Sequence, residues 1–218
     1  MISTVLPAFK YLLETRKLTE ETIRAFNLGY ISKDGIVYIG AEFNKTLPVF
    51  DKRFYYSTMF PVFDIYGACI ALSVRPLGPT QTKYINTVYE KSEHLYGLSV
   101  TWRECLQEQA VYVVEGNISM LQMYQAGIKN CVAMLGSKLS TRQVCLLSRF
   151  VKKIVLVPDA DKAGLKLIKK MQENIPTKLY DTDIKFTYVQ LPAGQDPDDY
   201  FRLNSKQDFL SIPEEELV

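Results

Sequence analysis

Hydrophobic and polar positions follow two different rhythms along the chain, and the change falls near its middle. From about residue 111 onward, short apolar runs alternate with stretches of helical spacing. "VYVV" at 111–114 predicts a strand, and "EGN" a turn. "ISMLQMYQAG" predicts a helix that ends near Gly127, since glycine takes the left-handed conformation that closes helices. "CVAML" at 131–135 predicts a second strand closed by Gly136, and "STRQVCLLSRF" a helix opened by Ser/Thr caps. "KIVLV" predicts a third strand, because the apolar, mostly β-branched run from Ile154 to Val157 suits a buried one. "KAGLKLIKKM" then takes helical spacing, with Leu165, Ile168 and Met171 on one face. "IKFTYVQL" at 184–191 predicts a fourth strand, followed by "PAGQDPDDYF". Strands alternating with helices imply an α/β domain with a parallel sheet, flanking helices and right-handed crossovers.

The first half is less regular. "LPAFKYLLETR" and "TEETIRAF" predict two short helices, the second capped by Thr19. "GIVYIG", "FPVFD" and "CIALSV" predict strands, and "LSVTWRECLQEQ" a helix. Basic and aromatic residues interleave through "DKRFYYSTMFP" and "QTKYINTVYEKSEHLYG". The expected organisation is a smaller mixed α+β basic subdomain over 1–108 and the parallel-sheet domain over 109–218.

Composition narrows the chemistry. The 218 residues are 47% hydrophobic and 12% aromatic, enough for a real core, and no run approaches the ~18 apolar residues of a membrane span. The start of the chain shows neither a basic leader nor a long apolar segment, so no secretory signal is expected. Four dispersed cysteines, no C-x-x-C and a single His94 argue against zinc and for free thiols in a reducing cytoplasm. A net charge of +2 is too small to announce nucleic-acid binding by itself.

Acidic residues follow three of the predicted strands. Glu115 follows "VYVV", Asp159 and Asp161 follow "IVLV", and Asp196 and Asp198 follow the last strand in "GQDPDD". In a parallel sheet all these ends share one edge, where ligands bind in open α/β folds. Carboxylates crowded there repel by roughly a kcal/mol per pair even with strong screening. The alternative, in which they are separate helix caps and turn residues, leaves their convergence unexplained. A cation relieves the repulsion, and oxygen-only ligands point to Mg²⁺ or Mn²⁺. An Asp-x-Asp after a strand also suggests aspartyl-phosphate enzymes, but Ala163 stands where those carry threonine. No EF-hand loop, Walker loop or G-x-G-x-x-G is present.

"VVEGNISMLQMYQAGIKNCVAMLGSKLS" followed by "VLVPDADKAG" resembles the Toprim domain. "YLLETRKLTEETIRAFNLGY" is similar to the opening of a DnaG-type primase catalytic core, and "RFYYSTMFPVFDIYGACIALSVRPLG", "TKYINTVYEKSEHLYGL" and "LPAGQDPDDYF" continue that likeness in order. The resemblance, to bacterial or phage primase cores, spans roughly residues 9–210. It implies a Toprim-type parallel sheet with flanking helices behind a smaller mixed α+β subdomain. It also implies DNA-templated RNA primer synthesis with Mg²⁺ or Mn²⁺, on a single-stranded DNA template with ribonucleoside triphosphates. The expected setting is the cytoplasm of a bacterial or phage-infected cell. With no zinc in this chain, a replicative helicase or a separate zinc- or DNA-binding subunit is the expected partner.

By the same resemblance, Glu115, Asp159 and Asp161 are the catalytic and metal-holding acids, joined by Asp196 and Asp198. Arg16, Arg53, Arg75, Lys83, Tyr84 and Lys91 are the nucleotide- and template-binding residues. Tyr55, Tyr56, Tyr84 and Tyr89 are available for base stacking. Two departures stand out: Ser119 occupies the family's aspartate after the glutamate, and Tyr55 and Ser57 stand where relatives carry charges. Two other functions remain compatible: a Toprim nuclease, and a catalytically impaired single-strand-binding or replisome subunit.

Overall fold

The computed structural model describes residues 7–39, 52–79, 82–136, 138–178 and 184–217. Leu6, Gly40, Asp51, Gln81 and Ser137, which belong to the segments quoted above, lie outside the described residues. The chain divides into two units, Met1–Tyr89 and Glu90–Val218.

In the first unit, α1 (Pro7–Lys10) runs on as a π-helical turn, Tyr11–Thr15, and α2 (Glu20–Ala25) follows. Thr19 caps α2 as expected: its hydroxyl accepts the Thr22 N–H at 3.2 Å. Five antiparallel strands come next: β1 (Gly29–Ile31), β2 (Val37–Ile39), β3 (Ser57–Phe63), β4 (Cys69–Pro76) and β5 (Ile85–Asn86). Their order in the sheet is β2-β1-β3-β4-β5. β3, flanked on both sides, is buried along nearly its whole length. Ile31, Val37, Phe54, Met59 and Val74 form a core cluster, with Tyr55 packed against it. β1 and β5 were not expected, since three and two residues are too short to show a period.

The second unit opens with a 3-10 turn, Lys91–Glu93, and α3 (Leu98–Glu108). Alternation then runs as expected through β6 (Ala110–Val114), α4 (Asn117–Gln125), β7 (Cys131–Ala133), α5 (Thr141–Leu147), β8 (Lys153–Leu156), α6 (Lys162–Lys178) and β9 (Lys185–Val189). α7 (Pro197–Phe201), α8 (Lys206–Leu210) and β10 (Glu214–Glu216) close it. The sheet order is β10-β9-β8-β6-β7, with β7, β6, β8 and β9 parallel and β10 antiparallel. From β6 the chain moves to one side, and from β8 to the other. The adjacent ends of β6 and β8 are therefore a topological switch point, where a crevice opens in such sheets.

The contact boundary falls at 89/90, whereas the sequence reading placed it at 108/109. The intervening segment is fastened to the second sheet. Tyr96 exchanges backbone hydrogen bonds with Ala133, N–H to O at 2.8 Å and O to N–H at 3.0 Å. The Gln143 carboxamide donates to the carbonyls of Lys91 at 3.0 Å and His94 at 2.7 Å. Gln143 also closes a capping box with Ser140 at the start of α5.

α6 corrects one expectation. Leu167, Ile168 and Met171 are buried, while Leu165 is 47% exposed. The buried stripe starts one position earlier, at Gly164, and runs 164, 167, 168, 171, the i, i+3, i+4, i+7 spacing of one helix face. β10 was not expected either, because "EEE" has low strand preference. It pairs because Lys153 meets Glu214 at 2.9 Å, Lys185 meets Glu216 at 2.6 Å, and the Tyr188 hydroxyl bonds Glu215. No helix among the described residues is long and apolar enough to cross a membrane.

Gly164 supplies a first prediction. A Cβ at this position would lie 1.9 Å from the Asp159 carbonyl oxygen, a backbone atom that cannot swing away. Gly164→Ala is expected to cost about 2 kcal/mol or more by displacing the Asp159–Gly164 turn. Urea unfolding reads this directly, and wild-type stability in the variant would contradict the close approach.

Candidate active site

At the switch point, Glu115 follows β6 and Asp159 lies three residues beyond the end of β8. The Glu115 backbone carbonyl accepts the Leu135 N–H at 3.0 Å, and its carboxylate accepts the backbone N–H of Asp159. Its Oε1 is buried and has no hydrogen-bond partner among the described residues. Burial pushes the Glu115 carboxyl up to about 7, reinforced by the charges of Asp159 and then Asp161 and opposed by the Asp159 N–H. Asp159 and Asp161 are thus brought together with Glu115, as the sequence reading expected.

The loop holding the paired acids is built from its own backbone. The Asp161 N–H donates to the Asp159 carbonyl at 2.8 Å. Asp161 Oδ1 accepts the N–H groups of Ala163 at 2.7 Å and Gly164 at 2.9 Å, capping α6. The Ala160 N–H donates to the Gln195 carbonyl at 2.9 Å, and the Gly194 N–H to the Ala160 carbonyl at 3.0 Å. These two bonds tie the Asp-x-Asp loop to the loop that carries the later acids.

Those later acids are arranged differently. Asp196 caps α7, its Oδ1 accepting the Asp199 N–H at 2.8 Å. Asp198 is 3% exposed and held by Arg202 through both of its oxygens, at 2.7 and 2.8 Å from Nη2. One carboxylate oxygen from each of Asp196, Asp198 and Asp199 lies within 4.8 Å of the others. Asp199 was not singled out in the sequence; its place in "QDPDD" was the available signal. Ser119 is the third residue of α4, within its first turn, and is 8% exposed.

In the first unit, Arg16, Arg75 and Tyr84 come together around a residue the sequence reading missed, Tyr11. Both guanidinium carbons lie 5.4 Å from its ring centroid, and Arg16 Nε donates to its hydroxyl at 2.6 Å. Arg75 also lies 5.5 Å from the Tyr84 ring, whose edge meets Phe60 at 6.0 Å. Burial raises the Tyr84 phenol's pKa, with Tyr11 adding to the rise and Arg75 and Arg16 opposing it. Arg75 Nη1 is buried without a hydrogen-bond partner among the described residues. Lys83 and Arg53 are exposed, and Arg53 sits in the 3-10 turn Lys52–Phe54. Lys91 belongs to the second unit. Of the tyrosines considered for stacking, Tyr55 packs on the core, and Tyr56 meets Tyr30 edge-on at 6.4 Å with Lys33 over its ring.

A doubly wound sheet with Glu115 at one strand end and Asp159 and Asp161 after its neighbour is the Toprim class of domain. Residues 112–201 match the Toprim-like family model, and residues 39–101 match that of the DNA primase catalytic core, N-terminal domain. The chain is 31% identical to the DNA primase of Clostridium acetobutylicum and 30% identical to that of Synechococcus elongatus, over 95% and 94% of its length. It spans 37% and 33% of those relatives. Among solved structures, a DnaG catalytic core matches at TM-score 0.79 with 26% identity, covering 96% of this chain and 72% of that one. The zinc-binding and RNA polymerase domains of the Aquifex aeolicus primase match at TM-score 0.77 with 27% identity, over 94% of this chain and 56% of that one. The two family matches, in this order along the chain, and the structural likeness are those of a DnaG-type primase catalytic core.

A Toprim domain implies use of a divalent metal ion, and the residues here fit one. The donors are hard oxygens, they repel each other, and Glu115 Oε1 is buried and unpartnered. In the metal-free protein Glu115 predicts a pH slope. Its folded pKa of about 7 stands above its ordinary 4.5, so between these values the folded chain holds a proton that the unfolded chain has released. Stability therefore falls as pH rises through that window. Glu115→Gln is expected to flatten the slope in chelator-treated urea unfolding, and an unchanged slope would contradict the assignment.

Proposed function

We propose that this chain performs DNA-templated synthesis of RNA primers, joining ribonucleotides at the Glu115 end of its parallel sheet. The observation that carries this reading is the Glu115 carboxyl, crowded by Asp159 and Asp161 and left with a buried, unpartnered oxygen. The family's primases support it. Glu115, Asp159 and Asp161 would hold the ion, Mg²⁺ or Mn²⁺, with Asp196 and Asp198 on the loop tied to theirs. Bound there, such an ion lowers the pKa of the primer 3′-hydroxyl and neutralises triphosphate charge.

The chain's own groups do the rest. Glu115 holds or releases a proton near neutral pH. Arg202 fixes Asp198, and with it the first turn of α7. Arg16 and Arg75, braced on Tyr11, carry positive charge for phosphate oxygens, with Lys83 and Arg53 in the same unit; Lys91, in the second unit, is a further phosphate-binding lysine. Tyr84 offers an aromatic surface beside Arg75. The template is single-stranded DNA, the substrates are ribonucleoside triphosphates, and the setting is the cytoplasm of a bacterial or phage-infected cell. A replicative helicase or a zinc-bearing DNA-binding protein is the partner.

Extension of an RNA primer annealed to single-stranded DNA, with Mg²⁺ or Mn²⁺ and beside a nuclease control, tests the reading. Wild type is expected to extend. Asp159→Ala should abolish extension without loss of folding, since it removes a like charge. Lys83→Ala and Lys91→Ala should each weaken extension about tenfold through a lost charge-assisted contact. Strand cleavage without extension would favour the nuclease, and neither activity the non-catalytic subunit that Ser119 brings to mind.

A further inference from the structure

The nine-residue helix α4 starts with its donors incompletely satisfied. Its N-cap is Gly116, which has no side chain to accept from the first-turn N–H groups. Asn117 covers one of them: its Oδ1 accepts the Ile118 N–H at 2.9 Å. That bond orients the carboxamide, because the reverse orientation would set two donors against each other. Asn117 Nδ2 therefore lies at the same helix end. The residue is 3% exposed, and Nδ2 is buried with no hydrogen-bond partner among the described residues.

Gly116 adds a second, independent observation. Its backbone, at φ −114° and ψ 155°, is one that any residue adopts. A Cβ there would meet nothing within 4 Å. Neither conformation nor internal packing calls for glycine, so its effect is to keep the backbone open on that side. An unpartnered amide donor, the first-turn N–H groups and the positive end of the helix all favour an acceptor carrying negative charge.

We propose that Gly116 and Asn117, at the N-terminus of α4, form a subsite for one phosphate of the incoming nucleotide's triphosphate tail. The inference rests on the reading under Proposed function. Glu115 is the preceding residue, so occupancy requires the divalent ion to offset its repulsion. Asn117 Nδ2 and the helix N–H groups then donate to phosphate oxygens, and the missing Cβ lets the tetrahedral group approach the backbone.

Two variants that act through unrelated changes test this. Asn117→Asp keeps the shape and the acceptor for the Ile118 N–H, and its charge suits a helix N-terminus, but it replaces the phosphate donor by an anion. Gly116→Ala places a methyl in space the protein itself leaves open. Mn²⁺ alone, then inorganic tripolyphosphate and ATP with Mn²⁺, are titrated calorimetrically into the 218-residue chain, with thermal melting alongside. Both variants are expected to bind Mn²⁺, and Gly116→Ala to melt no lower than wild type, so that its loss of affinity is not a loss of folding. Their affinity for tripolyphosphate and ATP should fall about tenfold or more. Wild-type affinity in both would overturn the subsite, as a single buried water on Nδ2 would also predict, and would leave primer synthesis standing. A wild-type chain that binds no ATP with Mn²⁺ would overturn the primer-synthesis reading itself.

Discussion

Electrostatic repulsion among Glu115, Asp159 and Asp161 is the constraint around which the second unit is organised. The three cannot move apart, because each is fixed by backbone geometry. β6 and β8 lie side by side in parallel register from Ala110↔Lys153 to Val113↔Leu156, and the Val157 N–H continues the ladder to the Val113 carbonyl at 2.9 Å. Ile154, Val155, Leu156 and Val157 are at most 1% exposed, so the strand carrying Asp159 is clamped by packing. Gly164 lets the following helix start directly under the Asp159 carbonyl. The charge conflict is held in place by the same burial that stabilises the sheet.

The two units carry opposite versions of this device. In the second, carboxylates are gathered and Glu115 keeps a proton near neutral pH. In the first, two guanidinium groups share one tyrosine ring, and Arg75 leaves a buried donor unpaired among the described residues. Under the function proposed above, a cation would relieve the first arrangement and phosphate oxygens would pair the buried donor of the second. Asp198 is the contrasting case: Arg202 already neutralises it inside the protein, so it braces α7 rather than adding to the repulsion.

What was legible in the sequence was what repeats. Four apolar runs separated by helical spacing gave the parallel strands, and their trailing acids marked the edge where a site would form. Ser140 and Thr19 announced their helices because a cap is a local interaction. Features set by distant partners were not legible. Three consecutive glutamates became strand β10 because Lys153, Tyr188 and Lys185 wait on the neighbouring strands. Leu165 points outward because Gly164 sets the rotation of α6. Tyr11 gained its place only when Arg16 and Arg75 closed on it from elements far apart in sequence. The bracing of Asp198 by Arg202 is the exception: it is a local i, i+4 pair on α7 that the sequence reading left unused.

The most direct measurement is the number of protons released when Mn²⁺ binds, obtained by calorimetric titration in buffers of different ionisation enthalpy. If the crowded Glu115 carboxyl receives the ion, binding at neutral pH displaces its proton, roughly half a proton per ion near pH 7 and close to none well above it. The release should vanish in Glu115→Gln. Mn²⁺ binding with no proton released at neutral pH, or the same release from Glu115→Gln, would show that the acids at the strand ends are not the group that the fold holds ready for a cation.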